Sequence, residues 1–236
     1  MRKFQKPLTV DIHDVDFNGI CRASSLMKYV QLAAQTQLTE NGMSYDELKR
    51  NKRAFILSRM KIEFTRPVRA FENLTAVTYP CESRGYSFLR CYKLKCAEDT
   101  VSRAVSLWAL IDTDTHALVR VNDFELGLET FDPLDMPIGR FVIPCPLREV
   151  GKYLVVYGDV DQNNHMNNTR YPDMYANFLP LSERWISEIT INYQNEAPAG
   201  EKLTVFVGNI EDTYYFRTVR SDGKINSEAE IKLAYI

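Results

Sequence analysis

Apolar residues recur every three to four positions after residue 24. Leu26, Met27, Val30, Ala33, Ala34 and Leu38 fall on one helical face. Ser24 or Ser25 offers a cap for this helix and Gly42 an end. A shorter run of the same period holds Tyr171, Met174, Tyr175 and Phe178, with Pro180 as a stop. Pro172 falls in its first turn, where a missing N–H costs little. Elsewhere the period is two. Val101, Arg103, Val105 and Leu107 alternate with Ser102, Ala104, Ser106 and Trp108, and 86–96 reads the same way. Residues 55–65 and 185–194 are rich in Ile, Phe, Tyr and Trp, and 202–210, 213–220 and 225–235 also read as strands. Ser221-Asp222-Gly223-Lys224 is a hairpin turn between the last two. Pro133, Pro137, Pro144 and Pro146 break the pattern over 122–150, which reads as a linker.

The order of elements repeats. Asp14-Val15-Asp16-Phe17-Asn18 aligns with Asp159-Val160-Asp161-Gln162-Asn163 at an offset of 145. Ile62-Glu63-Phe64 aligns with Ile191-Asn192-Tyr193, and Leu74 with Leu203, at an offset of 129. The first copy therefore carries 16 extra residues, which fits a longer helix and following loop. Three segments result: 1–121, a linker at 122–150, and 151–236. Each half is an α+β unit, a helix with one broad apolar face that needs an antiparallel sheet to wrap it. Paired edge to edge, the halves bury two exposed strand edges.

Composition narrows the function. Lysine and arginine (29) nearly balance aspartate and glutamate (31), so no basic excess supports nucleic-acid binding. The five cysteines form no CxxC pair, which argues against a disulfide framework or a zinc cluster and for a reduced, cytoplasmic protein. The N-terminus shows no apolar secretory run, and no stretch approaches the roughly 18 apolar residues of a membrane helix.

The chemistry concentrates in Asp159-Val-Asp161-Gln-Asn163-Asn-His165-Met-Asn167-Asn168. The first copy keeps the acids and Asn18 but has Ile20 at the histidine position. An Asp/Asn cluster before a helix is most often a turn and cap. His165, however, lies among polar neighbours rather than on an apolar face. A calcium loop fails on spacing. Counted from Asp159, Asn164 stands at the glycine position and Arg170 at the bidentate glutamate position; counted from Asp14, the last ligand is Ser25. The three histidines are not spaced as helical zinc ligands, and no phosphate-binding glycine loop or nucleophile elbow is present. Metal-free acid–base chemistry remains, with no cofactor. His165 serves as a base, Asp161 or Asp159 orients it, Asn163 supplies an amide, and a helix start favours developing negative charge. Such a set suits hydrolysis of an activated carbonyl.

The segment 159–171 resembles the D-x-D-x-N-x-H-x-N-N-x-x-Y signature of plant and bacterial acyl-acyl carrier protein (acyl-ACP) thioesterases. Ile191-Asn-Tyr193-Gln-Asn-Glu196 resembles their strand motif with its catalytic glutamate. The resemblance spans essentially the whole chain. It implies a tandem (double) hotdog fold, two long helices each wrapped by an antiparallel sheet, with hotdog units at 1–121 and 151–236. It also implies Asp161, Asn163, His165 and Glu196 as catalytic residues, with no metal and no organic cofactor. The first half has Pro67 opposite Glu196, so only the second half is expected to be catalytic. The first half would supply acyl-pocket walls, with Leu26, Met27 and Val30 as candidates beside their plain reading as core. Plant relatives often carry Cys after the glutamate; Ala197 stands here, which favours direct attack by water.

The implied reaction releases free fatty acid from acyl carrier protein and ends chain elongation. His165 and Glu196 bind and deprotonate the water, Asp161 orients Asn163, and Asn163 with helix N-terminal amides holds the oxyanion. The implied partner is an acidic carrier protein, for which Lys49-Arg50-Asn51-Lys52-Arg53 with Arg59, Arg66 and Arg69 offers a basic face. Alternatives are an acyl-coenzyme A thioesterase and a non-catalytic acyl-binding hotdog protein. A monomer or a homodimer fits the duplicated chain.

Overall fold

The computed structural model describes residues 2–139 and 142–236. Residue 1 and residues 140–141, in the first expected unit and the expected linker, lie outside the described residues. The first half runs β1 (Phe4–Thr9), α1 (Ala23–Glu40), α2 (Tyr45–Arg50), β2 (Arg53–Phe64), β3 (Asn73–Pro80), β4 (Ser87–Cys96), β5 (Asp99–Asp112) and the short β6 (Leu118–Val119). The second runs β7 (Arg148–Leu154), α3 (Tyr171–Ala176), β8 (Arg184–Tyr193), β9 (Lys202–Ile210), β10 (Thr213–Val219) and β11 (Ile225–Tyr235).

All eleven strands join one antiparallel sheet in the order β1-β3-β4-β5-β2-β8-β11-β10-β9-β7, with β6 beside β5. The order mirrors about the β2–β8 pair, where Arg59 to Glu63 faces Asn192 to Glu188. Glu63 and Glu188 stand directly opposite each other, an unfavourable cross-strand pair of like charges. Lys61 Nζ offsets it by reaching both carboxylates, at 3.0 and 2.9 Å.

The apolar face of α1 packs into the hollow of this sheet. Met27, Ala33, Tyr175, Phe216 and Ile231 are all but inaccessible to solvent. Burying side chains of this size contributes about 1.5–3 kcal/mol each before entropy is counted. A second apolar cluster lies on the outer face of β3, β4 and β5. There Tyr79, Cys81, Cys91 and Val105 meet Met136, with Phe131, Leu134 and Ile138 packed around them. Residues 131–138 of the proline-rich stretch thus cover one sheet face, and the last residues of that stretch enter β7. β1, β3 and β7 carry too weak an alternation to be read as strands from sequence.

The expectation of two long helices is corrected. α1 has 18 residues, but α3 has six, entered through a 3-10 turn at Asn168–Arg170. Pro180 and the 16-residue deletion leave no room for more. The capping expectation is also corrected. α1 starts at Ala23 after Arg22 with no side-chain cap. Ser25 Oγ donates instead to Asp14 Oδ1 at 2.9 Å.

Candidate active site

The repeated motif folds the same way twice. Val15 bridges Cys21 as Val160 bridges Met166, and Ile20 bridges Arg69 as His165 bridges Pro198. The Cys21 N–H donates to the Val68 carbonyl at 2.7 Å, and Met166 N–H to Ala197 at 2.8 Å. Each loop turns on one left-handed residue, Gly19 (φ 68°) and Asn164 (φ 60°). Gly and Asn are the residues that tolerate this region. The backbone offsets of 145 and 129 read from sequence therefore hold in space. They pin the motif loop against the segment that follows β8.

That pinning brings two side chains together from 31 positions apart. His165 Nδ1 lies 3.2 Å from Glu196 Oε2, with the side chains 37% and 56% exposed. The backbone under Glu196 is held from below. Asn226 is fully buried on β11, and its carbonyl accepts from the N–H groups of Gln194 (2.9 Å) and Asn195 (3.0 Å). Its Nδ2 donates to the Asn195 carbonyl at 2.5 Å and to Tyr171 Oη at 3.0 Å. Thr218 Oγ1 donates to Asn226 Oδ1 at 2.9 Å. Arg220 Nη1 donates to the Glu196 carbonyl at 2.9 Å. Burial pushes Tyr171 up to about 12, so it stays a neutral phenol throughout the working range.

Asp161 does not touch the histidine side chain. Its Oδ1 accepts from Asn163 N–H at 2.8 Å and its Oδ2 from Asn167 Nδ2 at 3.3 Å, while its N–H donates to the His165 carbonyl at 3.0 Å. The carboxylate shapes the loop. Asp159 accepts from Tyr153 Oη (2.9 Å) and from Val156 N–H (3.0 Å). Burial, followed by this bond, pushes Tyr153 up to about 12. The expectation that Asp159 or Asp161 orients His165 is therefore corrected: the partner is Glu196. Of the amides at the start of the second helix, Thr169 N–H is already taken, donating to Asn167 Oδ1 at 3.0 Å, and α3 is too short to carry a large dipole.

One contact was invisible in the sequence. Tyr45 Oη, from α2 in the other half, donates to Asn163 Oδ1 at 3.0 Å. The amide is thereby oriented with Nδ2 left to donate elsewhere. No local pattern marks Tyr45, because its partner lies 118 positions away. Asn226 did leave a signal, a polar residue at an inward position of an alternating strand.

Asp161, Asn163, His165 and Glu196 all line one cleft of about 770 Å³. Most of its apolar lining comes from the first half, including Leu38, Leu48, Phe55, Leu57, Phe88 and Trp108, with Met166, Tyr171 and Tyr193 added from the second. Leu26, Met27 and Val30 do not line this cleft and belong to the core, with Leu26 also lining the second cavity. A second cavity of about 470 Å³ occupies the mirrored position in the first half, where Ile20 stands in place of a histidine. There Asn18 Nδ2 donates to the Leu181 carbonyl at 2.7 Å, so the duplicated amide ties the halves together. Burial tends to raise Asp14, but bonds from Tyr29 and Ser25 and the charge of Lys28 hold it below the usual carboxylate value.

Among the described residues no three His, Cys, Asp or Glu side chains cluster as metal ligands, and no helix is long and apolar enough to cross a membrane.

Comparison with solved structures places the whole architecture beside known ones. An acyl-ACP thioesterase from Bacteroides thetaiotaomicron superposes with a TM-score of 0.89 at 17% identity, over 98% of this chain and 97% of that one. The 12:0-ACP thioesterase from Umbellularia californica gives 0.85 at 14% identity, over 99% and 97%. Identities this low speak to the fold alone. Among curated protein sequences nothing matches. Family models decide the assignment. The acyl-ACP thioesterase N-terminal domain matches residues 1–126, and the acyl-ACP thioesterase C-terminal domain matches residues 147–234. With both domains present in order, the chain belongs to the acyl-ACP thioesterase family, enzymes that hydrolyse the thioester of acyl-acyl carrier protein.

Proposed function

We propose that His165 and Glu196 carry this hydrolysis, working as a pair on one water molecule at the mouth of the cleft. The observation that carries the proposal is their 3.2 Å approach beside an apolar cleft of acyl-chain dimensions. The pair takes a proton from water as its oxygen attacks the thioester carbonyl. Asn163 Nδ2, oriented by Tyr45, donates to the oxyanion. Collapse expels the carrier's phosphopantetheine thiolate, which regains the proton from the pair, and leaves free fatty acid. Asp161 acts through the loop, fixing Asn163 by its backbone.

The fold reading that accompanies this is a tandem hotdog, with units at 1–121 and 151–236 joined by 122–150. The mirrored strand order about β2–β8 supports it, with a second helix cut to a short one. Of the basic residues, Lys49 and Arg53 line the cleft. Arg53 is bonded to Asp112 and Lys52 to Asp114. Arg66 pairs with Glu72 at 2.6 Å and Arg69 Nη1 donates to the Asn18 carbonyl at 3.2 Å, both beside the second cavity. Lys49 is thus the best-placed contact for an acidic carrier protein.

The test is hydrolysis of one acyl chain presented on carrier protein and on coenzyme A, by the purified protein and by His165→Ala. Turnover by the parent, a higher kcat/KM on carrier protein and loss in the variant support the proposal. Equal turnover by His165→Ala ends it.

A further inference from the structure

The wall of the cleft remote from His165 and Glu196 carries a buried charge among its apolar residues. Arg90, on β4, lines the cleft and is only 7% exposed. It stands across from Ser106 on β5, in a register row that continues through Met60 on β2 to Ile191 on β8. Three strand spacings of about 4.8 Å separate β4 from β8, on the order of 14 Å. Glu196 lies further off, beyond the C-terminal end of β8.

A buried guanidinium normally faces a carboxylate. This one does not. Among the described residues its Nη1 donates to Gln37 Oε1 at 2.6 Å and to Thr78 Oγ1 at 3.1 Å, both neutral acceptors. Nε and Nη2 bond to no described residue. Neither is sealed away either, since Arg220 Nε is the one buried side-chain nitrogen or oxygen without a hydrogen-bond partner among the described residues. Both nitrogens therefore keep some exposure, and the space that Arg90 lines is the cleft. Burial works against the charge, yet an arginine keeps its proton under ordinary conditions. Pushing a methyl end onto these donors strips them of water with no replacement bond, a penalty of about 1–3 kcal/mol or more.

We propose that Arg90 is a specificity determinant for acyl chains, offering two donors to a hydroxyl or keto oxygen near the far end of the chain and disfavouring a plain methyl end that reaches it. This rests on the reading of the cleft as the acyl site.

The experiment uses pairs of acyl-carrier protein substrates of equal length, plain and ω-hydroxylated, from butanoyl to hexadecanoyl. Purified protein, Arg90→Met and Arg90→Lys are compared. At the lengths that reach Arg90, the hydroxylated substrate should exceed its plain partner in kcat/KM by roughly tenfold, as expected of a bond to a charged donor. Arg90→Met should bring that ratio close to one and raise turnover of long plain chains, and Arg90→Lys should keep part of the preference. Arg90→Met should lower the melting temperature through the lost bonds to Gln37 and Thr78, and in the folded protein butanoyl turnover should fall far less than turnover of the long hydroxylated chains. Dissociation constants of the matching free acids give a second readout that needs no turnover. A preference seen in binding without hydrolysis would sink the catalytic reading and leave this one standing. A ratio near one at every length in the parent overturns the proposal. So does a preference that survives Arg90→Met, or an equal loss at butanoyl, which would mark Arg90 as a brace between β3, β4 and α1.

Discussion

His165 and Glu196 divide the chemistry with groups that only hold them. Replacing His165 by Ala or Glu196 by Gln should lower kcat by about 10²- to 10⁴-fold at nearly constant KM, measured with acyl-carrier protein. Tyr45→Phe removes one hydroxyl that touches Asn163 and no reacting atom. Its kcat should fall by roughly tenfold, the worth of a single neutral hydrogen bond. Loss of KM alone would assign Tyr45 to the cleft wall. Asp173 carries a different signature. Burial raises its carboxyl above the usual value, outweighing bonds and charges from Ser24, Arg22 and Arg170. A raised acid is disfavoured in its ionised form, so its cost is absent below about pH 4 and grows as pH rises through the folded pKa. Asp173→Asn should therefore raise the melting temperature at neutral pH and lose that gain near pH 4.

Among the elements, β11 supports the site although it contributes no reacting group. Asn226 fixes the segment 194–196 with its carbonyl and its amide. Asn226→Leu should leave several buried partners unsatisfied, cost on the order of 2–4 kcal/mol in urea denaturation, and lower kcat in the folded fraction. β9 shows how closely chain segments approach. A Cβ at Gly208 would sit 2.4 Å from the Pro146 carbonyl oxygen and 2.8 Å from Cys145 Sγ. Gly208→Ala must displace 145–147 from the sheet, and a destabilisation of about 1–3 kcal/mol follows. Butanoyl turnover should persist, because neither segment lines the cleft.

For the whole molecule, duplication has separated two tasks. The second motif kept a histidine and gained its partner from the segment after β8. The first kept the same turn, bridges and backbone bonds around Ile20 and Pro67, and turned Asn18 outward to the other half. Asn18→Ala should therefore weaken the joint between the halves by about 1 kcal/mol while leaving kcat unchanged. A matching loss of kcat would show that the joint also aligns the cleft.

The sequence by itself determined the repeat, its two offsets, the main strands and the motif that holds Asp161, Asn163 and His165. These are local, since strand alternation and a ten-residue turn motif are written in neighbouring positions. The 16-residue deficit and Pro180 already carried the short second helix, which the two long helices implied by the resemblance overrode. Only the folded chain decided that neither Asp159 nor Asp161 bonds the His165 side chain. It alone decided that Tyr45 orients Asn163, that most of the apolar cleft lining comes from α1, α2 and β2 to β5, and that a cation without a carboxylate stands far from the reacting groups. Each of these joins residues from different elements, and a contact between distant positions depends on register, strand order and packing, which no one-dimensional pattern records.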